Sequence, residues 1–100
     1  MTSKSGPRRK LELPVDPETA QEEFIAQVGD AIRRERHARG WTQAQLAEAA
    51  QLSSNHVARL ERGEVGATFY LMHRISQALG VDLSVLTPSA EPTRARRSVS

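Results

Sequence analysis

Residues 42–63, TQAQLAEAAQLSSNHVARLERG, hold two short apolar patterns of helical spacing separated by about three residues. Leu46, Ala47 and Ala50 make the first, and Val57 and Leu60 the second. A link this short forces the two helices to cross steeply, and the small Ala47 and Ala50 suit a close approach at the crossing. The second helix opens with Ser53, Ser54, Asn55 and His56. An ordinary buried hairpin would not need four polar residues at a helix tip. This tight helical corner with a polar leading end constrains the fold more than any other feature.

The flanking sequence is helical in period as well. A first helix starts either at Asp16-Pro17, a cap followed by proline at the first helical position, or at Thr19, where TAQE spells a capping box. Its expected apolar stripe is Phe24, Val28 and Ile32 with Ile25, and Gly40 ends it. Thr42 caps the second helix, Leu52 plugs the turn, and Ser53 caps the third, which stops at Gly63. Thr68 caps a fourth, with Phe69, Met72, Ile75, Ser76 and Leu79 at core spacing and Gly80 as its stop. A short fifth helix runs from Leu83 to Leu86, ahead of Pro88. Residues 1–15 and 89–100 have too little apolar content to fold and read as flexible tails. The expectation is an all-α, compact five-helix bundle over residues 16–88.

Composition removes several classes of function. Without cysteine there is no disulfide framework, zinc finger or thiol chemistry. No apolar run nears the ~18–20 residues of a membrane span, and no apolar segment follows the basic start MTSKSGPRRK as a signal peptide requires, so a cytoplasmic protein without membrane contact is expected. His37, His56 and His73 fall on three different helices with no carboxylate at ligand spacing, so no metal site or cofactor is expected. No glycine-rich phosphate loop or serine elbow is present, which argues against an enzyme. The net charge is +2, but residues 20–88 alone carry −1, against +1 before them and +2 after. A polyanion would therefore have to be met by one locally basic face.

In three ordered runs, VGDAIRRERHARGWTQAQLAEAA, LSSNHVARLERG and HRISQALGV, the chain resembles the phage-repressor (Xre/Cro-type) helix-turn-helix family, five-helix domains that bind DNA. The resemblance covers Val28 to Leu86 and gives the polar tip a purpose. A helix enters the major groove end-on when its first turn is slim and carries hydrogen-bonding groups. By the family's pattern Ser54, Asn55 and Arg59 match base-reading positions. Geometry suggests Arg59 for guanine and Asn55 for adenine, each bonding a base edge with two atoms. Gln43 and Arg62 match phosphate-contacting positions. Ser53 at the tip and Arg39 on the first helix fall near the backbone, and His56 either touches phosphate or is a surface histidine. Arg36 and Glu61 match an ion pair, partly buried in the family, that fixes the recognition helix.

The family resemblance implies a transcription regulator, a repressor-type homodimer on an inverted repeat of double-stranded DNA. Leu71, facing outward on the fourth helix, and Leu83, Val85 and Leu86, more apolar surface than a short terminal helix can hide, are the expected dimer contact; the alternative is that Leu83 and Leu86 fold back to close the core. Alternatives are an adaptor that uses the fold to bind a partner protein without reading DNA, an antitoxin, or a restriction-modification controller. Three departures from the family stand out. Gln51 sits where glycine is usual, Ala67 replaces a common proline, and Glu64 occupies a loop where relatives often place Lys or Arg.

Overall fold

The computed structural model describes residues 16–88, so the expected tails at 1–15 and 89–100 lie outside the described residues. Five helices follow one another: α1 Pro17–Ala38, α2 Gln43–Ala50, α3 Ser54–Glu61, α4 Phe69–Leu79 and α5 Leu83–Leu86. Among the described residues there is no strand.

The helix starts are written in short polar side chains. Asp16 caps α1 and accepts from the Thr19 amide at 2.7 Å, with Pro17 next in line, so the earlier of the two possible starts is the one used. At α2 the capping box is complete. The Gln45 amide donates to Thr42 Oγ1 at 3.1 Å, and the Thr42 amide donates to Gln45 Oε1 at 2.7 Å. Ser53 accepts from the His56 amide at 3.0 Å, and Thr68 from the Leu71 amide at 3.1 Å. Each cap satisfies an amide that the helix leaves without a partner, and contributes about 1 kcal/mol.

The core gathers Val28, Ala31 and Ile32 from α1, Leu46, Ala47 and Ala50 from α2, and Val57 and Leu60 from α3. Met72, Ile75 and Leu79 of α4 and Leu86 of α5 close it. Three residues of the expected stripes are not in it: Phe24 is 48% exposed, Phe69 77%, and Ile25 is half-buried outside the core. Helix α1 has 22 residues, about 33 Å, whereas the eight-residue α2 and α3 reach only about 12 Å. The front of α1, with Phe24, therefore extends past them. Phe69 is the first residue of α4, and its side chain leans toward the helix start, away from the bundle. Both phenylalanines instead border an apolar groove with Ile25, Val65 and Leu83.

The corner between α2 and α3 depends on two residues from different parts of the chain. Gln51 adopts the left-handed conformation, φ 61° and ψ 47°, at a cost of about 1 kcal/mol for a side chain other than glycine. Arg74 of α4 secures this turn: its Nη2 donates to the carbonyls of Ala50 and Gln51, both at 2.6 Å. Those carbonyls belong to the end of α2, where no intrahelical donor remains for them, and a charged donor suits them. Helix α1 crosses α3 at Gly29, where a Cβ atom would come within 2.2 Å of the Leu60 carbonyl oxygen. The absence of a side chain there sets the seat of α3.

Candidate nucleic-acid interface

The period of α3 divides it cleanly. Val57, Leu60 and Glu61 turn inward and are buried, whereas Ser54, Asn55 and Arg59 are exposed. Asn55 and Arg59 stand one turn apart and share a stripe of the helix surface. Ser53 is committed to its cap through Oγ, and His56 is half-buried beside it. The free face of α3 thus offers a hydroxyl, an amide and a guanidinium in sequence. With the unpaired amides of the first helical turn, this surface is suited to a polyanion that also presents hydrogen-bonding edges.

Behind that face lies a polar cluster in the seam of α1, α2 and α3. Arg36 donates from Nε to Glu61 Oε2 at 2.6 Å and from Nη2 to Oε1 at 2.8 Å, a two-pronged pair of buried side chains. Its Nη1 donates to the Trp41 carbonyl at 2.8 Å. Gln43 Nε2 adds a third hydrogen bond to Glu61, at 3.0 Å from Oε1. The amide at the front of α2 is thus tied to the end of α3. Burial pushes the Glu61 carboxyl up, but the hydrogen bonds from Arg36 and Gln43 and the charge of Arg36 outweigh it and leave the group below its ordinary value. The hydrogen bonds to Glu61 in turn raise Arg36 against its desolvation. This cluster joins three helices and the loop carrying Trp41, so it fixes how α3 is presented.

The other cations are largely engaged with acids. Arg39 bends back to the Glu35 carbonyl at 2.6 Å and to Glu35 Oε1 at 3.1 Å. Arg33 and Arg34 both bond Asp30. Arg62 donates to Glu64 from Nε at 2.6 Å and from Nη2 at 3.3 Å, and Arg59 Nε lies 3.6 Å from the same carboxylate. The Arg62 hydrogen bonds, with the charges of Arg62 and Arg59, hold the Glu64 carboxyl below its usual range. The sequence marked Glu64 only as an acid in an unusual place. Its position two residues after Arg62 and five after Arg59 is the available signal that it meets both.

The four residues expected at a subunit contact do not share one environment. Leu86 is fully buried and closes the core between α4 and α1, which corrects its assignment to an interface. An apolar residue at the end of so short a helix is needed to cover the bundle's own base. Leu71 is half-buried against the core, Leu83 borders the apolar groove, and Val85 is 42% exposed. Among the described residues no cluster of three His, Asp or Glu side chains is placed to hold a metal ion, and no helix is long and apolar enough to cross a membrane.

Residues 27–87 match the family model described as "Helix-turn-helix domain". No curated protein matches the chain. Among solved structures, the restriction-modification controller protein C.AhdI from Aeromonas hydrophila is similar at 26% identity and TM-score 0.61, over 62% of this chain and 94% of that one. The clp gene regulator ClgR from C. glutamicum is similar at 31% identity and TM-score 0.60, over 62% and 80%. The hypothetical transcription factor NHTF from Neisseria is similar at 26% identity and TM-score 0.65, over 83% and 94%.

Proposed function

The chain belongs to the helix-turn-helix domain family and is a DNA-binding regulator, and we propose that it reads a specific double-stranded sequence as a repressor-type homodimer on an inverted repeat. The observation that carries the reading is the division of α3, with Val57 and Leu60 in the core and Ser54, Asn55 and Arg59 presented together on the outside. In the proposed complex α3 lies in the major groove. Arg59 spans the O6 and N7 atoms of a guanine, Asn55 pairs with an adenine edge, and Ser54 sits against a neighbouring base. Gln43, Ser53 and His56 at the helix fronts, with Arg62 and Arg39, meet the flanking phosphates and set register. Residues 16–88 are the DNA-reading unit, and the arginines and lysines of 1–15 and 89–100 add sequence-independent attraction.

Arg59→Ala tests the placement of the reading face. It should weaken binding to the preferred duplex by about 1–3 kcal/mol and relax the preference at one base pair. Arg59 is exposed, so melting should stay close to that of the parent chain. An unchanged preference at every position would put the reading face elsewhere.

A single α3 makes few base contacts, and two-fold symmetry doubles them with recognition helices about 34 Å apart. For the subunit contact we propose the α4–α5 end, where Val85 is exposed, Leu71 is half-buried and Leu83 borders the apolar groove with the exposed Phe69. Val85→Glu puts a charge there without entering the core. Sedimentation should show weaker self-association, and the preference for a full over a half site should fall severalfold. If both stay as they are, the subunits meet on another surface.

A further inference from the structure

We propose that Glu64 sets the balance between affinity and specificity, acting as an internal stand-in for a DNA phosphate; this rests on the DNA-reading role of α3. The carboxylate treats its two arginines differently. Arg62 gives it both Nε and Nη2, at 2.6 and 3.3 Å, the same two-pronged edge with which a guanidinium grips a phosphate. While that contact lasts, Arg62 cannot offer its Nε–Nη2 edge to DNA. Arg59 comes nearest with Nε, at 3.6 Å, a charge contact longer than a hydrogen bond. Its terminal nitrogens make no hydrogen bond to Glu64, and they are the pair that spans a guanine edge. One acid therefore withholds the phosphate clamp while steadying the base reader from behind.

The consequence differs between DNA sequences. On any duplex, Arg62 must leave Glu64 before its Nε–Nη2 edge can grip phosphate, and the carboxylate then faces the DNA backbone. That opposes binding everywhere, most visibly where charge is the whole attraction. At the preferred site the opposition is partly recovered, because Glu64 keeps the Arg59 side chain near its reading position and reduces the freedom it loses on binding. All three side chains are about half exposed, so the trio is poised at the surface for this exchange.

The test compares the full chain, Glu64→Gln, Arg62→Ala and the double variant. Each is titrated against a random-sequence duplex pool and against the duplex that the parent chain enriches from that pool, at several salt concentrations. Glu64→Gln should bind the pool about fivefold more tightly, with a salt slope steeper by about one. It should gain less on the enriched duplex, so discrimination falls. Arg62→Ala should cost more in the Glu64→Gln background than in the parent, because only there is Arg62 free of its competitor. A rescue of the parent's affinity and slope by Glu64→Asp would show that the carboxylate matters and the methylene does not. Equal or weaker pool binding by Glu64→Gln, or an equal cost of Arg62→Ala in both backgrounds, would overturn the role of Glu64 while leaving DNA reading intact. If the parent and Glu64→Gln both failed to bind the pool at low salt, the DNA reading itself would fall, and this inference with it.

Discussion

Glu61→Leu is expected to destabilise the fold by about 3–5 kcal/mol, and adding Arg36→Met is expected to recover most of that loss. The single change leaves the Arg36 guanidinium buried at 8% exposure with Nε and Nη2 unsatisfied, and removes the acceptor of Gln43. In a domain this small, such a loss lowers the melting temperature by more than about 12 °C. Arg36→Met alone has the mirror effect, a carboxylate buried at 6% exposure with only Gln43 to hold it. With both charges gone nothing charged remains to be desolvated, and only the Gln43 amide and the Trp41 carbonyl lose a partner. Thermal melts of the two single variants and the double variant give the coupling directly. Additive losses would mean that the two residues do not act as one unit.

The same pair gives stability a pH dependence whose sign is fixed. The folded Glu61 carboxyl lies below its ordinary value of 4.5. Its contribution is therefore fully present above about 4.5 and is lost as pH falls through the lower, folded value. In Arg36→Met the restraining partner is gone and burial dominates, so the carboxyl moves up instead. Acidification should then cost that variant less stability than it costs the parent chain.

The second large effect is expected from the smallest change. Gly29→Ala adds one carbon, yet that carbon would lie 2.2 Å from the Leu60 carbonyl oxygen and 3.0 Å from that of Glu61. Both obstacles are backbone, so no side chain can swing away and the two helices must separate. Alanine favours a helix interior by about 1 kcal/mol over glycine, but a clash this deep should cost about 3 kcal/mol, giving a net loss of about 2 kcal/mol. The displaced helix is α3, and Glu61 at the contact anchors the polar cluster. DNA affinity at saturating fold should consequently fall further than stability does. Melting and DNA titration of the same preparation separate the two losses. Stability equal to or above that of the parent would show that the helices do not meet at Gly29.

What was legible in the sequence was mostly local. Asp16, Thr42, Ser53 and Thr68 announce helix starts because a cap is an interaction between residues three apart. The inward and outward faces of α3 follow from the period of one turn. What was hidden depends on which elements meet, and period alone does not carry that. Phe24 and Phe69 sit at apolar spacing on their own helices, but no neighbouring helix reaches far enough to cover them. Arg74 is remote in sequence from the turn it secures, and Gly29 reads as an ordinary weak spot in a helix until α3 is laid across it. Leu86 looked surplus because the bundle's need for a cover is a property of the assembled helices. The Arg36–Glu61 pairing became readable only through the family resemblance, since no local rule links positions 25 apart. The family pattern points Gln43 outward toward phosphate, whereas its amide also reaches inward to Glu61.

Selection of bound duplexes from a random-sequence pool by the full chain is the most direct test of DNA reading. Enrichment of one inverted repeat is expected, with a guanine in each half-site whose enrichment disappears when Arg59 is replaced by alanine, and with half-site centres about one helical turn apart. Retention of DNA with no enriched sequence, or an enriched sequence indifferent to Arg59, would contradict it.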